Sequence, residues 1–172
     1  GVFALADFGL YMFLILRTKE ITGSFVIAIA LYVLFNFVTA AFSIPFGIAS
    51  DKIGRKRVLL TGYLLFIIVA MGFAYFSSWK ILILLFALYG LVYALVQGNQ
   101  AAFVSDLSKE MKGTALGLYY TTVGIVSIPA GLIAGLIYGV SYSAMFKYVS
   151  CVALIAFVLL LFVREGKGFK RK

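Results

Sequence analysis

Gly47-Ile48-Ala49-Ser50-Asp51-Lys52-Ile53-Gly54-Arg55-Lys56-Arg57 decides how the rest of this chain is read. Five charged residues stand among these eleven positions, in a chain that is only 12% charged. Long apolar stretches flank them on both sides. Gly47 allows close approach between helices at the end of the preceding stretch, and Gly54 permits the tight reversal that a short loop needs. Asp51 sets a carboxylate among cations, and Arg55 offers a planar fork that fits one. A helix that ends near Asp51 disfavours its charge by a few tenths to about 1 kcal/mol, so this acid needs a partner.

Outward from this loop, the apolar stretches repeat. A membrane-crossing helix needs about 20 predominantly apolar residues, and six segments qualify, at 1–16, 25–48, 58–77, 79–104, 112–139 and 144–163. The chain has 172 residues, is 64% hydrophobic and has a mean hydropathy of +1.11. Ordinary soluble domains are about half apolar and a quarter charged, so lipid must cover much of this surface. Residues 1–172 read as a single six-span membrane domain. The first span is short, and the chain opens on Gly1 with neither a basic leader nor a cleavage site, which reads as a cut through a longer protein.

The charges set an orientation. Lys52, Arg55, Lys56 and Arg57 share one side with Lys109, Lys112 and the tail residues Arg164, Lys167, Lys170, Arg171 and Lys172, which makes eleven basic residues. The other side carries four, namely Arg17, Lys19, Lys80 and Lys147. The positive-inside rule therefore predicts a multi-pass protein of the cell (plasma) membrane with both termini cytoplasmic. The net charge of +9 is explained by topology, and no nucleic-acid partner is expected.

The two prolines stand in matching pentapeptides. Ser43-Ile44-Pro45-Phe46-Gly47 recurs as Ser127-Ile128-Pro129-Ala130-Gly131 at an offset of 84. This predicts an internal repeat of three spans, approximately 1–77 and 79–163, with opposite membrane orientation because three is odd. Spans 3 and 6 are almost wholly apolar and should lie outermost, while spans 1, 2, 4 and 5 carry the polar residues. Small residues form stripes in span 4 (Gly90, Ala94, Gly98, Ala101) and span 5 (Gly117, Gly124, Gly131, Gly135, Gly139), as close helix packing requires. The other face of span 4 reads Tyr89, Tyr93, Gln97 and Gln100. With Asn36 of span 2 these residues are candidate substrate-cavity residues. Interhelical hydrogen bonding is the alternative for the stripe, because polar residues also serve as glue between membrane helices.

Several chemistries are excluded. There is no histidine, which removes His-ligated metals, Ser–His and Cys–His catalysis and His proton relays. The six acids are dispersed, so no clustered-carboxylate metal site is expected, and no cofactor is implied. Nothing resembles a selectivity filter or a ring of charges. Cys151 stands alone in an apolar run and reads as a small hydrophobe. Asp7 is the one acid well inside a span, and it reads either as a candidate proton site or as an interfacial residue.

Every constrained position of the 47–57 stretch matches the signature loop of the major facilitator superfamily: Gly, three residues, Asp, a basic residue, any residue, Gly, then a basic pair. The run from Gly90 through Ser105-Asp106 to Lys112-Gly113-Thr114-Ala115-Leu116-Gly117 is similar to the fourth-to-fifth span junction of the C-terminal half of such transporters. Phe13-Leu14-Ile15-Leu16-Arg17 resembles the end of that half's first helix. The resemblance covers the whole chain, while a full member has about twice as many spans. It implies an all-α bundle of two inverted three-helix repeats, working as half of a secondary active transporter that moves a small solute by alternating access. The expected partners are membrane lipid, a small-molecule substrate, and an N-terminal half or a second copy of this chain. The alternative is a non-transporting membrane partner that needs a second half. The resemblance further implies a gating role for Gly47, Asp51, Lys52, Gly54, Arg55 and Lys56, with the acid ending the fourth span, here Asp106, joining them.

Overall fold

The computed structural model describes residues 1–108 and 110–163. Lys109 and the tail cations Arg164, Lys167, Lys170, Arg171 and Lys172 lie outside the described residues. The described chain is helical throughout: α1 Val2–Thr22, α2 Phe25–Ile53, α3 Arg55–Tyr75, α4 Trp79–Leu107, α5 Lys112–Val140 and α6 Tyr142–Phe162. Five of these are long and apolar enough to cross a membrane. The exception, α1, has the same 21-residue length as α3 and α6, but it carries Asp7, Arg17, Lys19 and Glu20.

The stretch expected as a loop at 51–57 is a joint of one residue. Helix α2 continues through Asp51 and Lys52 to Ile53, and α3 starts at Arg55. Gly54 alone turns the chain, at φ 102°, where any side chain would be strained. Its N–H still donates to the Ser50 carbonyl at 3.0 Å, so the last turn of α2 stays closed up to the reversal. Joints this short make chain neighbours antiparallel. The α2–α3 joint, the end of α4 and the start of α5 therefore share one end of the bundle. The end of α1 shares the other with the α3–α4 and α5–α6 turns.

The packing survives exchange of the first three helices with the last three. Helix α2 packs on α4 as α5 packs on α1, α3 packs on α4 as α6 packs on α1, and α3 and α6 pack on each other. Both proline helices run unbroken through Pro45 and Pro129. Two residues before each proline a serine hydroxyl donates back into the preceding turn, Ser43 to Thr39 at 2.6 Å and Ser127 to Gly124 at 2.7 Å. Such back-bonds bend helices.

Exposure differs from helix to helix. Helices α3 and α6 do show an apolar outer stripe, which includes Leu64, Ile68, Leu154 and Ile155. They are nevertheless not the least covered helices, because Phe73 stacks on Phe146 between them at 5.6 Å. In α3, 56% of the most apolar stretch is buried, against 17% in α2 and 11% in α5. The bare helices are α2 and α5, the two that carry proline.

The glycine stripes also divide. A Cβ at Gly90 would stand 2.7 Å from the Phe35 carbonyl oxygen, so this glycine is what lets α2 and α4 touch. A Cβ at Gly47 or Gly98 would meet nothing within 4 Å, so neither mediates close packing here. In α5, Gly131 and Gly135 approach α1 at Met12 and Phe13, while Gly117, Gly124 and Gly139 face open space.

Candidate functional site

At the joint, Arg55 is the centre of a branched network. Its Nη2 lies 2.9 Å from the Asp51 carboxylate, one turn back across Gly54. Its Nε donates to Asp106 near the end of α4 at 2.5 Å. Its Nη1 reaches the Ser50 hydroxyl at 3.5 Å, and Ser50 in turn donates to the Asn99 side-chain oxygen at 2.6 Å. Asn99 is fixed by its own bond to the Leu95 carbonyl. Ser50 and Asn99 are buried, Arg55 is 22% exposed, and the two acids are 62% and 48% exposed. The network thus has a rigid inner layer and a wet outer one. Exposed ion pairs contribute about 0.2–1 kcal/mol each, which biases a conformation without locking it.

The other loop cations do different things. Lys52 is exposed in the last turn of α2, where a cation suits the helix dipole. Lys56 donates to the carbonyls of Leu161 and Val163, at 2.9 and 2.6 Å, and so caps the end of α6.

Beside this network lies a cavity of about 490 Å³, lined among others by Ser43, Gly47, Asp51, Arg55, Tyr93 and Gln97. Gly47 therefore opens onto space where close packing was expected. Of the five expected cavity residues, Tyr93 and Gln97 line it. Asn36 stands exposed on α2, bonded to the Tyr32 carbonyl, and is not part of this lining. Gln100 turns inward to bridge three helices, donating to Tyr63 at 2.8 Å and accepting from Tyr119 at 2.7 Å. Tyr89 is fully buried. The stripe on α4 thus divides between cavity lining and interhelical bonding.

The partner of Tyr89 and Tyr93 is Asp7. Each phenol donates to one oxygen of its carboxylate, at 3.0 Å in both cases. Tyr93 stands midway along α4 (Trp79–Leu107), so this contact lies at mid-depth in the bundle and not at an interface. Rings of α1, α2 and α4 surround it. Tyr11 meets Tyr32 hydroxyl to hydroxyl at 2.5 Å, and Phe35 lies 5.0 Å from Tyr93 and 5.1 Å from Tyr89.

The opposite end holds a second arginine. Arg17 is 7% exposed. It bonds Glu20 of its own helix at 3.3 Å and the Ser77 hydroxyl at 2.9 Å, and its guanidinium lies 3.4 Å from the centre of the Tyr142 ring. One side chain thereby ties α1 to the α3–α4 turn and to the start of α6.

Sequence reading found Arg55, Asp51 and Asp106 but missed Asn99 and Ser50. The available signal was an amide inside an apolar span on the face of α4 opposite the stripe of tyrosines and glutamines. Among the described residues no group of three or more His, Cys, Asp or Glu is placed to hold a metal.

The profile of the Major Facilitator Superfamily matches residues 1–172. An uncharacterized MFS-type transporter of Methanocaldococcus jannaschii is 55% identical over 170 residues, which cover 95% of this chain and 42% of the relative. The chain thus spans about two fifths of the length of the relative it matches.

Proposed function

The chain belongs to the major facilitator superfamily, and from that premise we propose that it forms the C-terminal half of a secondary transporter, moving a small solute by alternating access. Transport, and not catalysis, is the function of the family.

The observation that carries it is the Arg55 fork, which joins the end of α2 to the end of α4 through two half-exposed acids. A latch for a moving gate needs such partners, held well enough to bias one state and exposed enough to be exchanged. The bare apolar faces of α2 and α5 support a second half, because each needs a cover and the midplane between two halves is where such carriers bind solute. In this reading Gly47, Lys52, Gly54 and Lys56 complete the gate, Asn36, Tyr89, Tyr93, Gln97 and Gln100 line or support the solute path, and Asp7 stands on it. The gate faces the cytoplasm of a cell with this protein in its plasma membrane, and both termini lie on that side.

Opening inward would break the Arg55 contacts, so losing them favours the inward-open state. Asp51→Asn and Arg55→Ala in the complete transporter should shift the state population about fivefold, equivalent to about 1 kcal/mol. Accessibility of single cysteines on the two sides of the membrane measures this. Solute affinity within a fixed state should hardly change. Normal transport by a correctly inserted Asp51→Asn protein would overturn the latch and leave the basic residues with orientation alone.

A further inference from the structure

Asp7 is an acid at mid-depth in a membrane bundle, and among the described residues it has no salt bridge. Ten residues separate it from Arg17 on the same helix, a rise of about 15 Å. Tyr89 and Tyr93 contact it directly, and the other titratable groups whose charge is felt with it, from α1, α3 and α5, are also phenols: Tyr11, Tyr63 and Tyr119. Tyr32 of α2 joins them through Tyr11. An intramembrane carboxylate is costly without a counter-charge, and two phenol donors compensate only part of that cost. The balancing charge comes from a proton or from a cation that enters.

Which cation fits is decided by the walls. A metal ion wants several oxygen ligands at short range. Here two phenols are already committed to the carboxylate as donors, Tyr11 and Tyr32 are hydrogen-bonded to each other, and α1 and α4 are unbroken helices whose carbonyls are spent within the helix. What remains is aromatic surface. Tyr11 stacks 6.1 Å from Tyr93, and Tyr11 and Phe35 meet edge to face at 6.4 Å. A carboxylate close to several aromatic rings can attract an organic ammonium group, by charge and by cation–π contact together. Tyr11, Tyr32 and Tyr93 are partly exposed, and Tyr93 also lines the 490 Å³ cavity, so a solute can approach the buried Asp7 carboxylate from that side.

We propose that Asp7, with the rings of Tyr11, Tyr32, Phe35 and Tyr93, binds the ammonium group of a cationic organic solute. This rests on the reading that the α1–α2–α4 face lines the solute path.

The test is equilibrium binding to the complete transporter in detergent, followed by calorimetry, with choline as the probe and 3,3-dimethylbutanol as its uncharged isostere. Choline should bind at least tenfold more tightly than the isostere, and equimolar sodium should not displace it. Asp7→Asn should abolish the preference, and Asp7→Glu should keep most of it, which separates charge from folding. Tyr11→Phe should change affinity less than about threefold, whereas Tyr11→Leu, which removes the ring, should weaken it about tenfold. Protons compete for the same carboxylate, so binding should weaken as pH falls. Equal affinity for the two probes, or choline binding untouched by Asp7→Asn, would overturn the proposal. So would an Asp7 that responds to protons alone. Cysteine accessibility that still alternates in that case would leave the alternating-access reading standing, and accessibility that does not alternate would remove that reading independently of any binding result.

Discussion

The two ends of the bundle each hold an arginine bonded to an acid within one helical turn of sequence, and the two do different work. Arg17 is 7% exposed, is roofed by Tyr142, and reaches Ser77 in a neighbouring turn. All its contacts lie inside this chain, in places that the packing of α1, α3, α4 and α6 already fixes. Arg55 is also partly covered, but the acids it holds are 62% and 48% exposed, and Asp51 borders an open cavity. What makes Arg17 a rivet is its own burial and its contacts with Ser77 and Tyr142, since its acid Glu20 is 41% exposed. The difference lies in the surroundings, since both arginines carry the same group.

The sharpest way to break this contrast is to remove the rivet. Arg17→Ala takes away a buried cation, its hydroxyl bond and its ring contact together. Complete loss of one partner in a fully buried pair costs about 3–5 kcal/mol. Because Glu20 is 41% exposed, about 2–3 kcal/mol is expected here. The transition temperature of the purified protein should fall, while transport per folded molecule should persist. Arg17→Lys should recover little of the loss, since an ammonium group has neither the fork nor the flat face.

A smaller effect is expected from the inner layer of the other network. Asn99→Leu leaves the Ser50 hydroxyl without its acceptor and lets Arg55 wander, at a cost of about 1–2 kcal/mol for a buried group left unpaired. It should move the state population in the same direction as Arg55→Ala, although Asn99 touches neither acid. If cysteine accessibility is unchanged, the inner layer does not position Arg55. Smaller again is the response to salt. Raising ionic strength from 0.1 to 1 M shortens the screening length from about 10 to about 3 Å. The state population should drift the way Asp51→Asn drives it, and the Arg17 contacts should not respond. Last, Lys56→Ala should cost a few tenths of a kcal/mol at most, visible as faster amide exchange confined to the final turn of α6.

The same contrast shows what a sequence makes legible. Asp51, Gly54, Arg55 and Asp106 could be found because each answers to a local rule, of helix end, reversal or fork, together with the family pattern that names the fourth-span acid. Asp7 was visible as an anomaly, yet its partners were not, because they sit more than eighty positions away and depend on which turn of α4 lies beside α1. The stripe Tyr89, Tyr93, Gln97 and Gln100 was read as one face, but over about three turns it meets α1, open space and then α3 and α5 in succession. Gly47 and Gly90 look alike in sequence, and only the path of α2 makes one a contact and the other a cavity wall. Apolar composition cannot separate a surface that meets lipid from one that meets another helix.

A bundle whose packing survives exchange of its two triplets has no up or down of its own. The α2–α3 joint at Gly54 and the α5–α6 joint at Ser141 are each one residue long and would trade places on inversion. What tells them apart is a handful of side chains, five charged residues around the first and none directly flanking the second. Handedness with respect to the membrane is thus written in an easily edited part of the molecule, where a few base changes suffice. Neutralising the basic residues at that end should therefore give a protein that folds normally and inserts both ways round, a dual-topology product from a single gene.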